Sequence, residues 1–562
     1  MALSRTDNTG TVATGNAAGV RWAAFTRGVS APAIAWAIPL LIAAVYVIVF
    51  LIKLSHNLTA LGWESDYSST FLQAETLAKV GSGGETVMAS AGQWVPLWFG
   101  LLTARLPLHR ELWTITPTLL FIASALTVGW SVSKVADRRA AVLAVLIGVI
   151  ASPLALAFFM AEAHNTVYPC TALLGAYLVW LARGEQRRRL VTVAVPPLLG
   201  VVIGTCMASD LLVVATATVP LGVTALLVFI RRDRLDRHAK RVWLSALTTI
   251  AVAVPIAKLT TYVMSSLHFL TLPAPIKFAS LSELPQRGQL LFKGLKALFN
   301  GYLGPERPGT LHTELGIASD VVMSVALIAL LGVGAFTTVR FVASGLRKRN
   351  GQAATEFARS LHVIYWVVSA VSVCGAYWIA GEGSTTTHES YYGTAIFSVA
   401  AVIPLLLATR AAARWLIAGC MSLFFTASLV GLSNNYIGLA AGLEHSSAAI
   451  TKIAQAFHVK YGYGTWLDAS ALTWETHERV IVRPVVVCEY GGGVGLCPGF
   501  QDLVTSWYIP QQRHTFLLIE DNGVGLGSLP EGLGKPLAAY RVDSMSMYIY
   551  PYDIASRLGR PA

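Results

Sequence analysis

Charged side chains are scarce in this sequence. Only 13% of the 562 residues are Asp, Glu, Lys or Arg, whereas 54% are hydrophobic, and the mean hydropathy is +0.58. A soluble domain carries about 25% charged residues, so this composition excludes an ordinary soluble protein. It is typical of an all-α bundle that crosses a membrane many times.

Two common catalytic signatures are also absent. The chain contains no Gly-x-Ser-x-Gly elbow, so a serine nucleophile of that type is not expected. The glycine-rich stretch at 491–495 is not followed by Lys-Ser or Lys-Thr, so we interpret it as a turn and not as a phosphate-binding loop. Chemistry driven directly by ATP is therefore not indicated.

What the sequence does contain is a series of long apolar runs. A helix of roughly 20 apolar residues crosses a ~30 Å hydrocarbon core, and the sequence predicts about eleven such helices. We place them at 33–53, 113–133, 140–160, 166–182, 191–209, 211–230, 243–265, 319–341, 361–381, 394–409 and 415–432.

The basic residues predict the orientation of these spans. Alternate connections are rich in Lys and Arg, whereas the short connections 161–168, 209–210 and 381–392 contain none. By the positive-inside rule we expect a plasma (inner) membrane protein with a cytoplasmic N-terminus and an extracytoplasmic C-terminus. Because the net charge of +12 lies mostly in cytoplasmic loops, it does not indicate a nucleic-acid partner.

The spans divide the chain into three predicted parts. Residues 1–30 are expected to be a disordered cytoplasmic arm, 31–432 the membrane domain, and 433–562 an extracytoplasmic tail domain. The tail has one helical stretch and several short β-type runs, which predict a small, mainly β domain. Cys488 and Cys497 lie together in it, and a disulfide between them is expected outside the cytoplasm.

Two longer outer loops also carry recognisable patterns. The first contains the acids Glu64 and Asp66, then two aromatic-rich stretches around 71–77 and 94–101 that we expect to lie at the lipid headgroups. The second contains a predicted basic amphipathic helix over 287–299. Its cations are Arg287, Lys293 and Lys296.

Ionisable residues of four outer segments should converge on one water-filled cavity, because such groups are costly to bury in lipid. We expect Asp66 to lie close to His164 and Asp210 there. The candidate substrate-binding residues in these segments are Glu162, His164, Asp210, His388, Glu389 and Tyr391. Carboxylates and imidazoles also bind divalent metals, so a metal site is the alternative interpretation, although the tight spacing of a zinc motif is missing.

Residues 31–432 resemble the GT-C superfamily of integral-membrane glycosyltransferases, which use polyprenyl-phosphate sugars. The resemblance rests on the first span, the long outer loop with an early acid, and the Glu/His-bearing second outer connection. Members commonly have adjacent acids in the first loop, whereas this chain has Glu64-Ser65-Asp66. This difference leaves the identity of the base open, and we favour Asp66.

The resemblance implies a glycosyltransferase that moves a sugar from a polyprenyl-phosphate donor to an acceptor in the cell envelope. Asp66 would act as general base in an inverting displacement, with Glu64 beside it. Cations of the second loop would hold the donor phosphate, with His388 and Tyr391 as alternatives. The main rival is a transporter or flippase of envelope lipids or glycans, and the other is a non-catalytic membrane scaffold.

Overall fold

The computed structural model describes residues 31–61, 65–81, 85–89, 93–151, 155–156, 163–184, 189–230, 237–271, 278–299, 311–346, 354–380, 393–408, 411–434, 440–490, 493–499, 503–510, 514–520 and 530–559. These residues form sixteen α-helices and nine strands. The helices up to residue 434 form the bundle, and the described residues from 440 onward form a sheet-containing tail.

The helices of the bundle follow the apolar runs. They are α1 (Ala31–Leu61), α2 (Ser65–Val80), α3 (Trp94–Thr103), α4 (His109–Val135), α5 (Arg138–Val149), α6 (Val167–Arg183), α7 (Arg189–Ser209), α8 (Val219–Ile230), α9 (Arg237–Ser266), α10 (Leu284–Phe299), α11 (Leu311–Leu346), α12 (Ala354–Ala380), α13 (Thr394–Val402) and α14 (Ala411–Asn434). The tail adds α15 (Ala440–Ala456) and α16 (Trp466–Glu475).

Six helices in the described part are long and apolar enough to cross a membrane: α1, α4, α9, α11, α12 and α14. Each coincides with one of the eleven predicted spans. The other five predicted spans coincide with shorter or interrupted helices, such as the 12-residue α5. The structure therefore agrees with a mostly helical membrane protein, and the count of about eleven crossings stays a prediction.

Two glycines let α7 and α9 approach each other closely. A Cβ atom at Gly204 would lie 2.4 Å from the carbonyl oxygen of Ala253, and one at Gly200 would lie 2.8 Å from that of Thr249. Small residues four positions apart are a common device for close helix packing in membranes. Because α7 ends at Ser209, this packing also fixes the turn that follows it.

A π-helical turn, Val214–Thr218, connects this turn to α8. Ser369 of α12 donates a hydrogen bond to the carbonyl oxygen of Thr216 at 2.7 Å, and Ser372 donates one to that of Ala215. Side-chain donors from a neighbouring helix thus contact the backbone where the helix widens. Such turns often lie next to functional sites.

The tail contains a six-stranded mixed sheet with the order β5-β4-β3-β7-β9-β8. Its strands are β3 (Tyr461–Gly464), β4 (Ile481–Tyr490), β5 (Gly493–Pro498), β7 (Thr515–Glu520), β8 (Ala538–Val542) and β9 (Met545–Tyr550). Helix α16 connects the parallel strands β3 and β4, as in a βαβ unit. Cys488 and Cys497 form a disulfide between β4 and β5, with their Cα atoms 5.8 Å apart, as the sequence predicts.

A second, small sheet joins the tail to two outer loops. Strand β1 (Val87–Ala89) pairs in parallel with β2 (Phe269–Thr271) and antiparallel with β6 (Leu503–Val504). Val87 is opposite both Phe269 and Val504. Backbone hydrogen bonds therefore hold the tail against the bundle.

The predicted headgroup position of the aromatic-rich stretches is wrong for their buried side chains. Phe71, Leu72 and Leu77 of α2 and Trp94 and Leu97 of α3 belong to a protein core that also contains Trp113, Trp474 and Trp507. We call this the outer core. An apolar stripe shows which face of a helix is covered, but not whether lipid or protein covers it.

Candidate active site

The predicted base lies at the start of α2. Asp66 is the second residue of this helix, and Glu64 lies outside the described residues. The first turn of a helix carries positive partial charge, so it is a favourable place for a carboxylate. Helix α2 follows directly in the sequence after the segment that leaves α1.

Helix α2 is held firmly by the outer core. The ring of Phe71 stacks on His109 at 4.3 Å between centroids and contacts the edge of Trp474 at 4.6 Å. Gln73 is buried and donates its side-chain N–H to the carbonyl oxygen of Met88 at 2.8 Å. These contacts come from both the bundle and the tail, so the helix that carries Asp66 in its first turn is fixed on two sides.

His164 and Asp210 form a hydrogen-bonded pair. His164 lies in the 3-10 turn Ala163–Thr166, and its Nδ1 is 2.7 Å from Oδ2 of Asp210. The other oxygen, Oδ1, accepts the backbone N–H of Leu212 at 2.9 Å. Because Asp210 is only 2% exposed, these partners compensate its loss of water. Asp210 therefore orients the imidazole through Nδ1.

The short helix α3 lies between this pair and α2. The Oγ of Ser209, beside Asp210, accepts the backbone N–H of Val95 at the start of α3 at 3.2 Å. On the other side, a Cβ atom at Gly100 of α3 would lie 2.6 Å from the Cβ of Ala74. Helix α3 therefore contacts both α2 and the turn that carries Asp210. The structure brings together His164 and Asp210 as expected.

Four other candidates lie outside the described residues, and their roles stay predictions. They are Glu162, His388, Glu389 and Tyr391. Among the described residues, no group of three His, Cys, Asp or Glu side chains is close enough to hold a metal ion. Since Glu64, Glu162, His388 and Glu389 are outside this set, the metal alternative also remains untested.

The three cations of the second outer loop lie on α10 in different environments. Arg287 is buried, and its Nη2 is 3.6 Å from Oε2 of Glu283. Lys296 Nζ is 3.2 Å from Oδ2 of Asp320 on α11. Lys293 is exposed. Leu291, Leu295 and Leu298 of this helix pack on the core of the bundle.

Sequence reasoning missed one contact between α1 and α14. The ammonium group of Lys53 donates to the carbonyl oxygens of Leu432 at 2.5 Å and Ser433 at 2.8 Å. Both belong to the last turn of α14, where carbonyls have no partner within the helix. A cation at a helix C-terminus is also favoured by the helix dipole. A single Lys near the end of an apolar run gives no signal for this partner.

Comparison with known proteins finds structural neighbours but no sequence relatives. No family model matches the chain, and no curated protein sequence matches it. The fold is similar to an oligosaccharyltransferase of Archaeoglobus fulgidus, solved with Zn and sulfate, at a TM-score of 0.46 and 13% identity. The match covers 79% of this chain but only 62% of the oligosaccharyltransferase, which is less than two thirds of its length.

Two further solved structures are similar to this chain. One is the Archaeoglobus fulgidus enzyme, named AglB, in complex with an inhibitory peptide and a dolichol-phosphate, at a TM-score of 0.43 and 12% identity over 80% of this chain and 64% of that one. The other is ArnT from Cupriavidus metallidurans, at a TM-score of 0.38 and 14% identity over 92% of this chain and all of ArnT.

Proposed function

We propose that this protein transfers a sugar from a polyprenyl-phosphate donor to an acceptor on the outer side of the membrane. The observation that carries the proposal is that α2, whose second residue is Asp66, and Ser209, the neighbour of Asp210 in the His164–Asp210 pair, both contact the short helix α3. A carboxylate and an oriented imidazole at one end of an apolar bundle can act on a headgroup at the membrane surface.

In the proposed reaction, Asp66 accepts the proton of an acceptor hydroxyl while its oxygen attacks the anomeric carbon of the sugar. The bond between this carbon and the phosphate oxygen breaks in the same step, and the configuration inverts. Polyprenyl phosphate leaves with the electron pair and therefore gains negative charge. Donors placed where this charge develops lower the barrier.

Two groups are proposed to meet the phosphate. His164 would donate from Nε2 in its imidazolium form, which the hydrogen bond from Nδ1–H to the Asp210 carboxylate would stabilise. Of the three cations on α10, Lys293 is our choice, since it is exposed, whereas Arg287 is buried and Lys296 is paired with Asp320. The donor arrives already activated, so neither ATP nor a nucleotide sugar is consumed.

This proposal is tested by measuring which class of donor the protein accepts. Purified protein is incubated with an envelope extract and one of two labelled donors, a polyprenyl-phosphate sugar or the corresponding nucleotide sugar. The Lys293→Gln variant is measured in the same assay. We expect this substitution to raise the KM for the lipid donor by about tenfold, because it removes one charge-assisted hydrogen bond to the phosphate. Transfer from the nucleotide sugar alone would contradict the proposal.

A further inference from the structure

Two carboxyl groups lie near one ammonium group where α2 contacts the tail. Lys79 Nζ lies 3.6 Å from Oε1 of Glu75 on the same helix and 3.6 Å from Oε2 of Glu478 in the tail. One ammonium group therefore lies within ion-pair distance of two carboxylates. The three side chains line a cavity of about 460 Å³, together with Arg483, whose guanidinium lies 4.2 Å from the ring centroid of Trp507.

A strained turn directs Glu478 toward α2. His477 and Glu478 have φ angles of 50° and 58°, in the left-handed region that residues other than glycine seldom adopt. Such backbone persists only where surrounding contacts enforce it. Here the backbone N–H of Glu478 donates to Thr473 at 3.0 Å, and Arg110 of α4 donates to the carbonyl oxygen of Trp474 at 2.7 Å. The position of Glu478 is therefore determined by both tail and bundle.

We propose that Glu478 is a positioning residue that holds α2, and with it Asp66, through its contact with Lys79 and Glu75. Asp66 precedes Glu75 by nine residues on the same helix, which is about 14 Å at the rise of an α-helix. The pair is thus remote from the reacting groups and acts through the helix. Its effect on catalysis rests on the proposed function.

The electrostatics of the contact give it a pH dependence. Burial, followed by the hydrogen bond with Glu478, raises the pKa of Glu75 to about 7, and the same hydrogen bond lowers the pKa of Glu478. Because the pKa of Glu75 is raised, the contact is fully stabilising at low pH and weakens as pH rises through about 7. Other charged groups act on this contact: Lys79 from α2, Arg110 from α4, and Glu475 and Arg483 from the tail.

The test measures kcat for sugar transfer against pH in the purified full chain. In the wild type, kcat should fall as pH rises through about 7, by up to about tenfold per pH unit, with the donor KM unchanged. Glu75→Gln and Glu478→Gln should abolish this fall, because an amide donates the hydrogen bond at every pH and adds no charge. Glu489→Gln, at an exposed carboxylate of the tail, is the matched control and should keep it.

A second measurement reports the contact without turnover. We measure the rate of hydrogen exchange at the backbone amides of β1 and β6 and correct it for the intrinsic exchange rate. The corrected rate should rise through the same pH range in the wild type but not in Glu75→Gln. Persistence of the alkaline fall in kcat in both Gln variants would overturn the proposal. If the exchange rate changes with pH but kcat does not, the positioning role is overturned and the proposed function is unaffected. Absence of transfer at every pH would instead overturn the proposed function.

Discussion

Replacing Asp66 with Asn should reduce turnover by at least about 10²-fold and by as much as about 10⁴-fold. General-base assistance typically contributes this much, and the substitution removes basicity while keeping size and one acceptor oxygen. The KM for the donor should change little, because the phosphate is held by other residues. Initial rates at saturating labelled donor measure the effect.

The neighbouring acid provides the control. Glu64→Gln should have a milder effect on turnover, since Glu64 is expected only to orient Asp66 or the acceptor. Both substitutions fall within three residues of one segment, so a general loss of folding would affect both alike. A fully active Asp66→Asn beside an inactive Glu64→Gln would show that the wrong acid was chosen. Two active variants would remove the catalytic role of this segment.

Trp474→Ala should destabilise the contact between the bundle and the tail by about 3–5 kcal/mol, as is typical when a buried Trp is truncated. Trp474 is 2% exposed, and the guanidinium of Arg110 lies 3.9 Å from its ring centroid. Its ring also contacts Phe71 of α2. Since whole domains are stable by only about 5–15 kcal/mol, the loss should be visible as faster limited proteolysis of the tail in detergent.

The matched control for this variant is Trp415→Ala. Trp415 lies on α14 and is 52% exposed, on a helix of spanning length that faces outward at this position. Its truncation leaves no cavity in a protein core, so tail proteolysis should stay at the wild-type rate. Equal proteolysis of the two variants would contradict the assignment of Trp474 to a structural contact.

The sequence predicts those helices and strands that are marked by a long run of apolar or β-type residues. Apolar runs predict the six long helices of the bundle, and β-type runs predict β4, β7 and β9. The sidedness of charged loops also predicts that His164 and Asp210 converge, because it places two distant turns at the same end of the spans. The disulfide follows from two cysteines that are close together in one loop.

Contacts between distant short segments are not visible in the same way. Strands β1, β2 and β6 contain three, three and two residues, too few for any periodicity to be recognised. Glu75 and Glu478 belong to segments with no common pattern, and only the docking of the tail brings them together. For the same reason the burial of Phe71 and Trp94 under protein is not predictable from their helices alone.

The central claim is that the protein breaks the bond between the sugar and the lipid phosphate. The measurement that tests it most directly uses proteoliposomes with a polyprenyl-phosphate sugar labelled on the sugar, in the presence of an envelope extract. We predict that label leaves the lipid together with an equal amount of polyprenyl phosphate, and that Asp66→Asn slows both by at least about 10²-fold. Label that stays on the polyprenyl lipid and appears in the opposite leaflet would contradict this account and indicate a flippase.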